Sequence, residues 1–133
     1  MDKLKAQRES IQADKEAGKS RAEIITSARE YVATNSDIKK SVEEVTNAKT
    51  GETEAILDAE TAVANYTAQG LSQEEALEAA TQDATDAGAK LGATYTDSMG
   101  KTVALTMEAG ESIEDFRASV AAAEKDAEQQ KLG

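Results

Sequence analysis

The chain has 133 residues, of which 26 are acidic and 15 basic, for a formal net charge of −11. It has no cysteine, histidine, tryptophan or proline, which excludes a disulfide framework and zinc sites built on thiolate or imidazole ligands. The negative charge argues against nucleic acid and against anionic membranes as partners, because both are themselves negatively charged.

Bulky apolar side chains are scarce in this chain. Hydrophobic residues make up 39% of it, but 26 of them are alanine and only 20 residues are leucine, isoleucine, valine or phenylalanine. Alanine favours helices and buries little area. We therefore expect one all-α domain, 1–133, built as a helical hairpin or bundle. The same scarcity predicts that neighbouring chains must complete the burial of its helices.

The first two predicted helices lie at 1–17 and 21–34. The first is mostly polar. The second has an amphipathic face, which we expect at an interface with another chain. The members of this face are Ile24, Ile25, Tyr31 and Val32.

A Gly-x-Ser sequence with an acid three residues after the serine occurs at 18–23, 70–75 and 110–115. Glycine commonly follows the end of a helix in the left-handed conformation. The serine and the acid form the capping box of a following helix. The pattern predicts three tight turns, each followed by the start of a helix.

The longest predicted helix covers 37–69. Positions spaced alternately by four and three residues run through this segment without a break in phase, as in a coiled-coil seam. Ile56, Val63 and Tyr66 belong to this seam, and we expect them at an interface. The local chemistry at Gly51 is typical of a turn, but the preserved phase favours a continuous helix. A hairpin at Gly51 is the alternative.

The segment 73–109 is predicted as one helix or two. Small residues recur in it every four positions, among them Gly88, Gly92 and Gly100, and such a row lets helices pack closely. The residues from Val103 to Met107 also alternate with period two, so a short strand is an alternative there.

The last predicted helix covers 113–131. Ile113, Phe116 and Val120 follow a heptad spacing along it, and we expect them at an interface as well.

Two stretches, 13–20 and 95–102, approach the pattern of a phosphate-binding loop. Neither follows a strand pattern, and acidic residues lie where phosphate would bind, so we interpret both as chance matches. Ser36 has a lysine three residues later, at Lys39, and we interpret this serine as a helix cap rather than a nucleophile.

The abundant carboxylates, Asp58, Asp83 and Asp86 among them, are interpreted as a solvated acidic surface. A di-iron site in a helical bundle needs histidine, and the segment 83–88 lacks the alternating acids of a calcium loop. We expect no catalytic residue, no metal, no cofactor and no small-molecule substrate.

No apolar run approaches the roughly 20 residues that cross a bilayer, and charged residues rather than a signal sequence follow Met1. We expect a soluble protein that is synthesised in the cytoplasm.

Assembly is the function that these observations favour. We expect a non-enzymatic helical subunit that packs against itself or other proteins in a larger particle, of which a virion is one example. The alternative is a soluble helical binding module, such as a small chaperone or adaptor, that presents an apolar groove to a partner.

Overall fold

The computed structural model describes residues 3–34, 42–108 and 110–132, apart from the side chains of residues 131 and 132. These ranges form helices and strands in mixed order. The helices are α1 (Lys3–Glu16), α2 (Arg21–Thr34), α3 (Ala59–Thr67), α4 (Gln73–Asp86) and α5 (Ile113–Leu132). The strands are β1 (Val42–Asn47), β2 (Thr53–Asp58), β3 (Lys90–Thr96) and β4 (Thr102–Thr106). The all-α expectation is therefore wrong, and the fold is of the α/β type.

Outside the sheet, the helix boundaries agree closely with the predicted ones. α2 has the predicted bounds, and α4 and α5 begin at the predicted residues Gln73 and Ile113. α4 ends at Asp86, however, far short of the predicted 109. In the described ranges, none of the helices combines the length and the apolar character needed to cross a bilayer.

The three Gly-x-Ser turns are confirmed as helix starts. The hydroxyls of Ser20, Ser72 and Ser112 each accept a hydrogen bond from the backbone amide three residues later. At Ser72 the capping box is complete, because the Glu75 carboxylate accepts a hydrogen bond from the Ser72 amide. The first two turns join helices, whereas the third joins β4 to α5.

The four strands form a closed sheet in the order β1-β2-β3-β4. β1 with β2, and β3 with β4, are antiparallel hairpins. Parallel pairing joins the hairpins twice, between β2 and β3 and between β1 and β4. Because parallel strands need a long connection, the helices α3 and α4 lie between β2 and β3. Both of these helices contact β3, and α3 also contacts β2.

The prediction of one helix over 37–69 is wrong. A hairpin of two strands followed by α3 occupies 42–67, and 37–41 lie outside the described residues, as does the predicted cap at Ser36. The Asn47 side chain closes the hairpin turn by accepting hydrogen bonds from the amides of Lys49 and Thr50. The turn at Gly51 is therefore present, but it joins strands rather than helices.

The helix predicted through Gly88, Gly92 and Gly100 is also wrong. Gly88 follows the end of α4, Gly92 lies in β3, and Gly100 lies in the turn between β3 and β4. A spacing of four is even, so residues that repeat at this spacing also share one face of a strand. The period-two alternation from Val103 to Met107 was the informative signal, because most of this segment is β4.

The two faces of the sheet contribute to two separate apolar clusters. Leu57, Leu91 and Leu105 pack against the helices in the larger cluster. Successive side chains of a strand point to opposite faces of the sheet. Ile56 and Ala104 therefore lie on the other face, where they form a small cluster with Val45. The helices therefore cover one face of the sheet, and the apolar side chains of the other face pack against one another.

Candidate binding cleft

The structure buries most of the residues that we expected at an interface inside the chain itself. The buried ones are Ile24, Ile25, Val32, Ile56, Val63, Tyr66, Gly92, Ile113 and Phe116. Tyr31 and Val120 are half-buried, and Gly88 and Gly100 are exposed. Among the described residues, the large apolar side chains left exposed are Val42 and Met99.

This single chain thus covers nearly all the bulky apolar side chains that the structure describes. The premise that neighbouring chains must cover them is wrong. Scarce bulky residues suffice because alanines such as Ala28, Ala59, Ala76 and Ala80, all fully buried, let the elements approach closely. Self-association remains a prediction, but it no longer rests on these residues.

A cleft with a volume of about 490 Å³ lies between α2, α3 and α4, beside the end of β2. We call it the α2–α4 cleft. Its floor includes the buried residues Val32, Leu57 and Ala62. Ala33 and Ala87, both exposed, contribute to its lining. The volume lies within the roughly 300–1,000 Å³ typical of ligand pockets.

Arg29 holds the polar wall of the cleft together. Its Nε donates to Oδ1 of Asp83 at 2.9 Å, and its Nη1 donates to the side-chain oxygen of Gln82 at 3.0 Å. Its Nη2 donates to the Asp86 carboxylate. The Tyr66 hydroxyl donates to the second oxygen of Asp83. The network joins α2, α3 and α4, so the groups that line the cleft are positioned before any ligand binds.

The helix that carries each of these groups sets the side from which it projects. Arg29 follows the buried Ala28 on α2, at the edge of the helix face that packs against α4. Asp83 and Asp86 are three residues apart and therefore project from one side of α4. Asp58 caps α3, where its two oxygens accept hydrogen bonds from the Glu60 amide and the Thr61 hydroxyl.

The cleft is strongly acidic. Its lining contains one cation, Arg29, and four carboxylates, which are Glu30, Asp58, Asp83 and Asp86, for a formal charge of −3. The hydrogen bond to Asp83 raises the pKa of Arg29 above its ordinary value, even though burial opposes this. The guanidinium therefore stays charged and neutralises only part of the acidic lining.

Tyr66 is held in its protonated form. Burial of the ring raises the pKa of Tyr66 well above its ordinary value, and the hydrogen bond to Asp83 raises that pKa further. A catalytic nucleophile would need a base that accepts its proton, but Asp83 is also bonded to Arg29 and keeps the phenol protonated. Within the described ranges, no group of three or more carboxylates is arranged to hold a metal ion.

Sequence reasoning missed the role of these residues. Asp58, Asp83 and Asp86 were grouped with the solvated acidic surface, yet only 10% of the Asp83 side chain is exposed. The available signal was Arg29, a cation beside the apolar face of α2, which needs a carboxylate partner if it is to be partly buried.

We expect Tyr66→Phe to flatten the loss of stability at alkaline pH. The pKa of Tyr66 is raised in the folded chain. Tyr66 therefore contributes stability that is present below the ordinary tyrosine pKa of about 10 and lost as the pH rises above it. A single such group gives a slope of up to about 1.4 kcal/mol per pH unit. Urea unfolding between about pH 9 and 11.5 measures this slope.

Tyr95→Phe is the control for this measurement. Desolvation and the charge of Asp97 also raise the pKa of Tyr95, but that residue is only half-buried and lies outside the network. We expect Tyr95→Phe to change the dependence of the unfolding free energy on pH less than Tyr66→Phe does. Equal slopes for the wild-type chain and Tyr66→Phe would contradict the prediction.

Comparison with known protein families, with curated proteins and with solved structures finds no match for this chain. The chemistry of the α2–α4 cleft is therefore the basis on which a function can be inferred.

Proposed function

We propose that this chain is a non-enzymatic binding module that holds a segment of a partner protein in the α2–α4 cleft. The observation that carries the proposal is an apolar floor, Val32, Leu57 and Ala62, that continues into an exposed apolar margin. That margin includes Val42, of which 43% is exposed. Most other large apolar side chains in the described ranges are covered.

The open margin favours a protein segment over an enclosed small molecule. Pockets for small molecules commonly bury 70–90% of the ligand surface. In this cleft Ala33, Val42 and Ala87 remain exposed. One side chain of a longer partner can enter such a cleft while its neighbours lie on the margin.

The polar groups of the cleft support binding rather than catalysis. Asp83 is engaged by both Arg29 and Tyr66, and Asp58 is engaged by the start of α3. These groups are pre-organised, which lowers the entropy cost of binding. The hydroxyl that donates to Asp83 belongs to Tyr66, whose pKa is raised, and the hydroxyl that donates to Asp58 belongs to Thr61 in a helix cap, so both bonds have a structural role.

The assembly role expected from the sequence is one form of this proposal, in which the segment held in the cleft belongs to a neighbouring subunit of a larger particle. Self-association is the case in which the neighbour is another copy. Light scattering tests that case, since a solution mass near the 14.0 kDa of one chain would exclude it.

Selection from a displayed peptide library tests the proposal. Ala33 is exposed and lines the cleft, so Ala33→Trp should fill the opening without disturbing the core. We expect peptides selected on the wild-type chain to bind Ala33→Trp at least tenfold more weakly, because the indole occupies their site.

The matched control is Ala22→Trp. Ala22 is exposed on the same helix, about three turns away and outside the cleft. The selected peptides should bind this variant as they bind the wild-type chain. Peptides that bind all three chains equally, or a selection that yields no cleft-binding peptide, would contradict the proposed function.

A further inference from the structure

The charge and the apolar floor of the α2–α4 cleft together indicate what enters it. Four carboxylates face one guanidinium in the lining, so an anionic side chain would meet net repulsion and a cationic one net attraction. The floor formed by Val32, Leu57 and Ala62 favours a hydrocarbon chain. A ligand that satisfies both features has an apolar stem and a cationic end.

We infer that the partner segment enters the α2–α4 cleft with a lysine side chain, an inference that rests on the proposed function. The four-carbon stem of lysine packs along the apolar floor while its ammonium group reaches the carboxylates. An ammonium group has three donors, and an ionised carboxylate has about four acceptor sites. Asp58 and Asp86 use only some of theirs in the bonds described above.

Lysine fits better than arginine because the wall of the cleft already holds a guanidinium. Arg29 already binds both Asp83 and Asp86, so the position that a second guanidinium would take between two carboxylates is occupied. A compact ammonium group needs no planar, two-pronged partner and can approach Asp58 at the start of α3.

Three six-carbon probes test the charge of the occupant directly. Hexylamine reproduces the lysine stem and ammonium group, hexanol removes the charge, and hexanoate reverses it. We expect hexylamine to shift the backbone amide signals of cleft residues in NMR titrations at low salt. We expect its affinity to exceed that of hexanoate by at least tenfold, with hexanol between them, and to fall as salt is added.

A double variant tests whether the carboxylates cause this preference. Glu30→Gln with Asp86→Asn changes the formal charge of the lining from −3 to −1 and leaves the bond between Asp83 and Arg29 in place. Hexylamine should bind this variant several-fold more weakly. The control is Glu124→Gln with Asp126→Asn, which makes the same change of charge at exposed positions on α5 and should bind as the wild-type chain does.

The selected peptides identify the source of the ammonium group. Replacing their lysine with norleucine keeps the stem and removes the charge, so we expect at least a tenfold loss of affinity on the wild-type chain.

If the peptides bind in the cleft without needing a lysine, the inference fails and the proposed function stands. If hexylamine binds but no peptide is selected, the proposed function fails and the occupant is a small amine. Equal binding of hexylamine and hexanoate would also overturn the inference.

Discussion

Replacing Gly92 with alanine is expected to lower the free energy of unfolding by about 3 kcal/mol, toward the upper end of the usual range for overpacked sites. Gly92 lies where β3 approaches β4 inside the closed sheet. A Cβ atom there would lie 2.6 Å from the backbone oxygen of Leu105 and 3.1 Å from Cγ2 of Ile56. Because the nearest atom belongs to the backbone, one of the two strands must shift, and chemical denaturation measures the cost.

Thr94→Ala is the control on the same strand. Thr94 is exposed and is paired with Ala104, so we expect this substitution to change the free energy of unfolding by no more than about 0.5–1 kcal/mol. If Gly92→Ala were as well tolerated as Thr94→Ala, the close approach of β3 and β4 would be contradicted.

Replacing Asp83 with alanine is expected to lower the free energy of unfolding by about 2–3 kcal/mol. The substitution leaves the buried Tyr66 hydroxyl without its acceptor, which costs about 1–3 kcal/mol. It also removes the more buried of the two carboxylates that bind Arg29. The side chain of Arg29 is itself only 27% exposed. Thermal or urea unfolding measures the loss.

Asp86→Ala is the matched control for this second prediction. Asp86 also binds Arg29, but 69% of its side chain is exposed, and exposed ion pairs contribute about 0–1 kcal/mol. We expect Asp83→Ala to cost clearly more than Asp86→Ala. Equal costs would show that the Tyr66–Asp83 bond adds nothing and that the polar wall of the cleft is not pre-organised.

The helix starts were the most predictable part of this fold. The hydrogen bonds that define them join residues only three positions apart, as between Ser72 and Glu75. Such contacts depend on local sequence alone. For the same reason the sequence correctly predicts α2 and the starts of α4 and α5.

The sheet was predicted wrongly because its stabilising contacts are distant in sequence. Leu57 pairs with Leu91 and Asn47 with Ala104, and neither pair leaves a local trace. In the segment 42–67 the seam spaced by four and three residues contains Lys49 at the hairpin turn and Glu52 just after it. That polar interruption marked the hairpin, but the heptad phase preserved across it favoured the helical interpretation.

The candidate site also combines features that are local in sequence with contacts between distant residues. Asp83 and Asp86 could be assigned to one side of a helix from their spacing. Arg29 and Tyr66, however, lie 54 and 17 residues from Asp83 along the chain. Only the packing of α2 and α3 against α4 shows that these groups share a cleft.

The sequence by itself determined the acidic charge, the helix caps and the turns, because each depends on composition or on residues within a few positions of one another. Tertiary structure alone decided that 42–58 and 90–106 contain paired strands, and that a single chain covers most of the bulky apolar side chains that the structure describes. Strand pairing and burial depend on which distant surfaces meet, and that is a property of the whole chain rather than of any segment.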